Sequence, residues 1–153
     1  MSETDSPHYF EFDLDRGIRE QVVEKLELSP LLPLSKDIGP QASGIYALYF
    51  RGGREPVYVG KASKEYTKSK RTLRSRLNEH TSKISGRRNI TLQDMKCRYL
   101  TFASEWWVFA AEFALNSHYR PAWTGSGLGS KIEGVGRPGT DRISRWNKEF
   151  PKR

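Results

Sequence analysis

Residues 44–50 (GIYALYF) and 56–60 (PVYVG) are two runs of β-branched and aromatic residues, separated only by Arg51, Gly52, Gly53, Arg54 and Glu55. A loop that short leaves the two runs one simple course, to turn back and pair as an antiparallel hairpin. Every other segment must fit around that hairpin.

Upstream, Leu14, Ile18, Val22 and Leu26 recur every fourth residue with charged residues between them, the pattern of an amphipathic helix that stops at Ser29-Pro30. The stretch LLPLSKDIGPQAS then reads as a connector. Residues 61–70 read as polar loop, and residues 71–85 place Leu73, Leu77, His80 and Ile84 on one stripe of a second helix, with Arg76 at its edge. MKCRYLTF (95–102) predicts a third strand. Ser104 is placed to cap a third helix with Glu105 in its first turn, and WWVFAAEFALNSH, apolar almost all round, is expected to be mostly buried. Six glycines between positions 125 and 139 predict loop, and a short helix is expected around Asp141–Asn147. The order helix, hairpin, helix, strand, helix describes an α+β domain: a small three-stranded antiparallel sheet flanked by helices.

The charge is uneven. The chain of 153 residues has a formal net charge of +8, yet residues 1–30 carry eight acidic and three basic side chains, while 61–98 carry twelve basic and three acidic. A second basic block, residues 120–153, has eight basic and three acidic residues. Two such blocks brought together would grip a polyanion, with nucleic acid the leading partner. No apolar run reaches the ~18 to 20 residues of a membrane span, and the acidic start lacks the basic-then-apolar order of an export signal. Cys97 is the single cysteine, and His8, His80 and His118 are scattered, so neither a disulfide nor a structural zinc is expected, and the compartment is expected to be reducing.

Glu112 is the only ionisable residue from Trp106 through Ser117. A carboxylate in that setting must meet a cation, either a basic side chain or a divalent metal. Tyr46 and Tyr58 fall on neighbouring strands of the hairpin. GSGLGSK (125–131) is not a nucleotide-binding phosphate loop, because Ser130 precedes Lys131 where the motif needs the reverse order at the start of a helix.

Gly44-Ile45-Tyr46 and Tyr58-Val59-Gly60, followed in order by Lys61, Arg76 and His80 in an RLxxH stretch, and Glu112 in a later apolar helix, resemble the GIY-YIG nuclease superfamily over about residues 43–124. GLGSKIEGVGRPG and SRWNKEFPKR are similar to the C-terminal stretch of its Type II restriction endonuclease branch, which also has an N-terminal helical arm. The resemblance implies one nuclease domain over 1–153, divided into an arm (1–42), a GIY-YIG core (43–124) and a loop-rich, DNA-contacting extension (125–153).

It further implies a sequence-specific endonuclease that hydrolyses double-stranded DNA with Mg²⁺, for which Mn²⁺ would substitute. Glu112 would be the metal ligand, Arg76 the phosphate clamp and Tyr46 the base, with His80 relaying its proton and with Tyr58 and Lys61 assisting. A homodimer on DNA, a prokaryotic cytoplasm and a genetically associated DNA methyltransferase follow from the same resemblance. A DNA-binding module of this fold with reduced catalysis, and a structure-specific repair nuclease, are the alternatives. The chain departs from the family pattern at Thr124, where an Asn is usual and would support the active site, and at Asn147, where an Asp is usual.

Overall fold

The computed structural model describes residues 5, 7–9, 13–65, 68, 70–128 and 144–153. Most of the glycine-rich loop, the Ser130-Lys131 pair and the first residues of the expected last helix lie outside them. The elements run α1 (Leu14–Leu28), β1 (Leu32–Pro33), β2 (Gly44–Phe50), β3 (Tyr58–Ala62), α2 (Leu73–Ser85), β4 (Met95–Thr101), α3 (Trp106–Tyr119) and α4 (Arg145–Glu149). None of these helices is long and apolar enough to cross a membrane.

The hairpin forms as its sequence dictates, with Tyr46 opposite Gly60 and Ile45 opposite Lys61. Its turn places Arg51 and Gly52 in the left-handed region, at φ 48° and 73°. β4 pairs antiparallel with the other side of β2. Among the described residues the sheet nevertheless has four strands rather than three, in the order β1-β4-β2-β3. The added strand is a two-residue piece of the connector, Leu32 and Pro33 opposite Cys97 and Lys96. Its brevity and its proline hide it in the sequence, and proline is tolerated there because the strand is at an edge.

The central strand β2 separates two apolar layers. Tyr46 and Leu48 face one side with Leu73, Leu77, Ile84, Trp146 and Phe150. Ile45, Ala47 and Tyr49 face the other with Val22, Leu26, Val108, Ala111 and Leu115. Helices α2 and α4 therefore cover one face, and α1 and α3 the other. That double burial explains why GIYALYF lacks the polar alternation of a half-exposed strand.

Local chemistry fixes the helix ends. The Asp13 carboxylate accepts from the Arg16 N–H at α1, and Thr72 and Ser75 form a reciprocal capping box at α2. At α3 the expected cap differs: Glu105 occupies the N-cap position, while Ser104 Oγ accepts from the Trp106 N–H at 3.3 Å. The expectation that α3 is mostly buried also fails. Val108, Ala111, Ala114 and Leu115 line a narrow buried side, whereas Trp106, Trp107, Phe109 and Phe113 are exposed.

Candidate active site

Tyr46 is fully buried in β2, and its hydroxyl lies 2.7 Å from His80 Nε2 on α2. The glycine of the second tripeptide makes this possible. A Cβ on Gly60 would collide with the hydroxyl and ring carbons of Tyr46, so the ring lies across bare backbone. Gly44 is required in the same way by the backbone carbonyl of Leu100 on β4. Gly60 thus serves close packing against the tyrosine, and Gly44 the close approach of β2 to β4 and Leu73.

Tyr58 completes an aromatic group on this face of the sheet, its ring centroid 6.1 Å from Tyr46 and 5.1 Å from His80. Arg76, one helical turn before His80, holds its guanidinium 6.0 Å from the Tyr46 ring centre. Glu79 accepts from Arg76 at 2.7 Å and from Arg71 at 2.8 Å. The predicted Tyr46, Tyr58, Arg76 and His80 therefore form one cluster.

Burial, followed by the cations Arg76 and Lys83, pushes the His80 imidazole down to about 3. The ring is neutral at ordinary pH. Burial, then the neighbouring Tyr58, holds the Tyr46 hydroxyl well above the usual tyrosine range, with Arg76 opposing. Tyr58 is raised by burial and by the charge of Glu112, again against Arg76. Burial disfavours the Arg76 charge, but Tyr46, Tyr58 and Glu79 more than offset it. We assign the Tyr46 proton to the hydroxyl, donating to Nε2 of a neutral His80 that carries its own proton on Nδ1.

Lys61 belongs to β3 rather than to the polar loop expected for residues 61–70. Standing opposite Ile45, it points to the other face of the sheet, where Nζ meets Glu112 Oε1 at 2.9 Å. The cation that Glu112 required is thus a lysine. Because β3 is an edge strand, Tyr58 on one face and the Lys61–Glu112 pair on the other come together around one sheet margin.

A second carboxylate, Glu105, read from the sequence only as a first-turn acid, organises this margin. Glu105 accepts from the Ser43 hydroxyl, from the Ser63 hydroxyl at 3.1 Å, and from the backbone N–H groups of Lys64 and Glu65, each at 3.1 Å. A desolvation penalty acts against its charge, but these donors win and hold the carboxyl below its ordinary range. The contact fastens the chain just beyond Lys61 to the start of the helix that carries Glu112. Its partners lie 40 to 62 residues away, which is why a helical-periodicity reading of Glu105 could not reveal them.

Thr124 is exposed, and its N–H closes a turn on the Pro121 carbonyl at 3.1 Å. Among the described residues, no contact brings its side chain to the cluster. The turn is held beside the hairpin, however, by the Trp123 N–H donating to Val57 O at 2.8 Å. Asn147 lies in α4, its N–H on Ser144 Oγ at 3.1 Å, and among the described residues its buried Oδ1 has no hydrogen-bond partner.

Among the described residues, no group of three or more His, Cys, Asp or Glu side chains could hold a metal. A divalent ion here would rest on the single Glu112 carboxylate. That suits Mg²⁺, which keeps several waters and takes one or two carboxylates together with substrate phosphate oxygens.

No curated protein matches the chain. The family described as the Eco29kI GIY-YIG domain matches residues 51–153, a span that contains Tyr58, Lys61, Arg76, His80, Glu112 and Thr124 and begins after Tyr46, which geometry alone joins to the cluster. With two thirds of its length matched and its sheet and helices in agreement, the chain belongs to the Eco29kI GIY-YIG family of Type II restriction endonucleases and carries a nuclease domain.

Proposed function

We propose that the protein is a Mg²⁺-dependent, sequence-specific endonuclease of restriction type that hydrolyses both strands of duplex DNA. The observation that carries this reading is the meeting of two groups at the β3 margin: Tyr46, Tyr58, Arg76 and His80 on one side, and Lys61 with Glu112 on the other. Phosphodiester hydrolysis needs a directed water, a clamp on the phosphate oxygens and stabilisation of the leaving oxygen.

Arg76 supplies the clamp, because a planar guanidinium that stays charged can donate twice to a phosphate. Glu112 would hold the metal, which when bound neutralises charge on the phosphate and the leaving 3′ oxygen. Lys61, already on Glu112 Oε1, would turn to the phosphate as its carboxylate partner is engaged elsewhere. Tyr46 would orient the attacking water and accept its proton. His80 positions the tyrosine: with its imidazole near 3 and the Tyr46 hydroxyl raised, a resting transfer between them is strongly uphill. When positive charge accumulates beside its oxygen, Tyr46 would pass its proton to Nε2 of the neutral His80, and the tyrosinate so formed would take the proton of the attacking water. This modifies the simple relay that the resemblance implies.

The basic blocks at 61–98 and 120–153 favour a polyanion, and cutting both strands at a two-fold site calls for two chains. A DNA methyltransferase of matching specificity is the expected genetic companion. Digestion of a sequenced plasmid with Mg²⁺, followed by mapping of the ends, tests the proposal. Discrete fragments support it. A smear would mean a nonspecific nuclease, and duplex binding without cleavage would mean a module that has lost catalysis.

A further inference from the structure

The candidate groups at the β3 margin stand on separate elements, Tyr46 on β2, Tyr58 and Lys61 on β3, and Glu112 on α3. Their relative placement matters, because a displacement of about 1 Å can cost about 10²-fold in rate. Apolar packing of Val108, Ala111 and Leu115 seats α3 on the sheet, but being non-directional it leaves the helix's position along β3 to polar contacts. The Lys61–Glu112 ion pair is ill suited to fix that position. It is a single contact of 2.9 Å between side chains 30% and 25% exposed, and in the chemistry proposed above it opens when Lys61 turns to a phosphate.

Glu105 meets the requirement. Its Oε1 accepts from the Ser43 hydroxyl and the Lys64 N–H, and its Oε2 from the Ser63 hydroxyl and the Glu65 N–H. Ser43 directly precedes β2 and Ser63 directly follows β3, just beyond the paired Gly44 and Ala62 at the open end of the hairpin. One carboxylate therefore fastens both strand ends to the start of α3. The Ser43 hydroxyl also accepts from the Lys64 N–H at 3.0 Å, which ties the strand ends to each other. Glu105, Phe109 and Glu112 follow at i, i+4 and i+7 and so share one face of α3. Lys61 Nζ lies over the Phe109 ring, 5.3 Å from its centre, as well as on Glu112. The chain from Lys61 to Glu65 thus runs antiparallel to α3, with Glu112 at one end and Glu105 at the other.

We propose that Glu105 is a positioning residue for DNA cleavage, which fixes the register of α3 on the hairpin so that Glu112 keeps its place when Lys61 releases it. The proposal rests on the reading of the protein as a duplex endonuclease. An ionised carboxylate has about four acceptor positions, and donors from this chain fill all of them. A desolvation penalty opposes the charge of Glu105, but these donors outweigh it and keep the carboxyl ionised. The group therefore has no proton to move and no lone pair to lend a metal, and its contribution is mechanical.

The test compares the wild type with two variants. Glu105→Gln keeps the shape but sets an amide NH₂ where two donors need an acceptor, and Ser43→Ala/Ser63→Ala leaves the carboxylate and removes only its hydroxyl donors. Circular dichroism fixes a temperature at which the proteins are folded, and the stoichiometry of duplex binding without metal gives the fraction of competent molecules. Hydrogen exchange without DNA reads the contact itself: the Lys64 and Glu65 amides should exchange at least about tenfold faster in Glu105→Gln. Single-turnover cleavage with Mg²⁺ over a range of duplex concentrations reads the positioning. Per competent molecule, the maximal rate should fall about 10- to 100-fold in Glu105→Gln and less steeply in the serine variant. The half-saturating duplex concentration should stay within about twofold. A merely structural role predicts fewer competent molecules, each cutting at the full rate. That result, unchanged amide exchange, or opened amides with an unchanged maximal rate overturns the proposal. A raised half-saturating concentration at an unchanged maximal rate would make Glu105 a support for duplex binding and overturn it equally. If Glu105→Gln does not fold, the serine variant decides by the same rate criterion. A wild type that binds duplex without cutting it overturns the endonuclease reading, and the positioning role with it.

Discussion

Lowering the pH from 7 to 5 should weaken the fold by about 2 kcal/mol through His80 alone. In the unfolded chain its imidazole titrates near 6.5, whereas in the folded protein it does so at about 3, because burial and the cations Arg76 and Lys83 disfavour the charged ring. Between those values the unfolded state binds a proton that the folded state refuses. The stability is fully present above 6.5 and is lost as the pH falls toward 3. At pH 5 the unfolded ring is favoured by a protonation factor of about 30, which is about 2 kcal/mol, against almost nothing at pH 7. Urea denaturation followed by tryptophan fluorescence at pH 7, 6 and 5 measures it. The control is His80→Gln, which keeps a hydrogen-bonding group near Tyr46 and cannot titrate. Carboxylates such as Asp94 and Glu105, whose values are lowered in the fold, also lose stability in acid, but equally in both proteins. The difference between the two pH profiles therefore isolates His80. Equal profiles would show that the ring takes up a proton inside the fold, and the neutral His80 on which the site's proton assignment depends would be wrong.

Glu112→Gln removes one partly buried ion pair with Lys61, so stability should change by about 1 to 3 kcal/mol. Cleavage should fall by at least about 10²-fold while duplex binding persists; unfolding of the variant would make Glu112 a structural partner instead. Tyr46→Phe should cost about 1 to 2 kcal/mol of stability and lower the single-turnover rate about 10²- to 10⁴-fold. Retention of more than about a tenth of the rate would remove the hydroxyl from the chemistry. Gly60→Ala should destabilise the fold by about 1 to 3 kcal/mol and reduce cleavage, because the new methyl group collides with Tyr46; a neutral effect in thermal melts would refute that packing. Duplex affinity should fall steeply with salt, the logarithmic slope being near −0.9 for each phosphate neutralised. A flat salt profile would mean that the basic blocks do not touch the backbone.

The hairpin was legible because two apolar runs and a five-residue loop permit few courses, and the order of Tyr46, Tyr58, Lys61, Arg76, His80 and Glu112 was legible because it repeats a family pattern. The surroundings of those residues were less so. A run such as WWVFAAEFAL gives no direction in which to point its apolar side chains, so the exposed aromatic stripe looked like core until α3 was seen to bury mainly its alanines, Val108 and Leu115. Glu105 has the local signature of a first-turn acid, and only the tertiary fold brings Ser43, Ser63 and two backbone N–H groups to it. β1 is too short to register as a pattern at all. The lysine opposite Glu112 could not be singled out by spacing, because strand register rather than sequence distance decides which cation arrives.

The apolar layer that encloses Tyr46 also contains Trp146 and Phe150, about a hundred positions further along the chain, and contacts of that span are slow to form. Phe150 stacks near Phe50 and Trp123, and the Arg153 N–H donates to the Gly86 carbonyl just beyond α2. During synthesis, Tyr46, Arg76, His80 and Glu112 all emerge before the residues that seal this layer. A chain cut short ahead of Trp146 would contain every candidate catalytic group yet leave the Tyr46–His80 side of the sheet open to water. Closure of the Tyr46–His80 side is in this way tied to the segment around Trp146 and Phe150, and chains that lack it are expected to be inert.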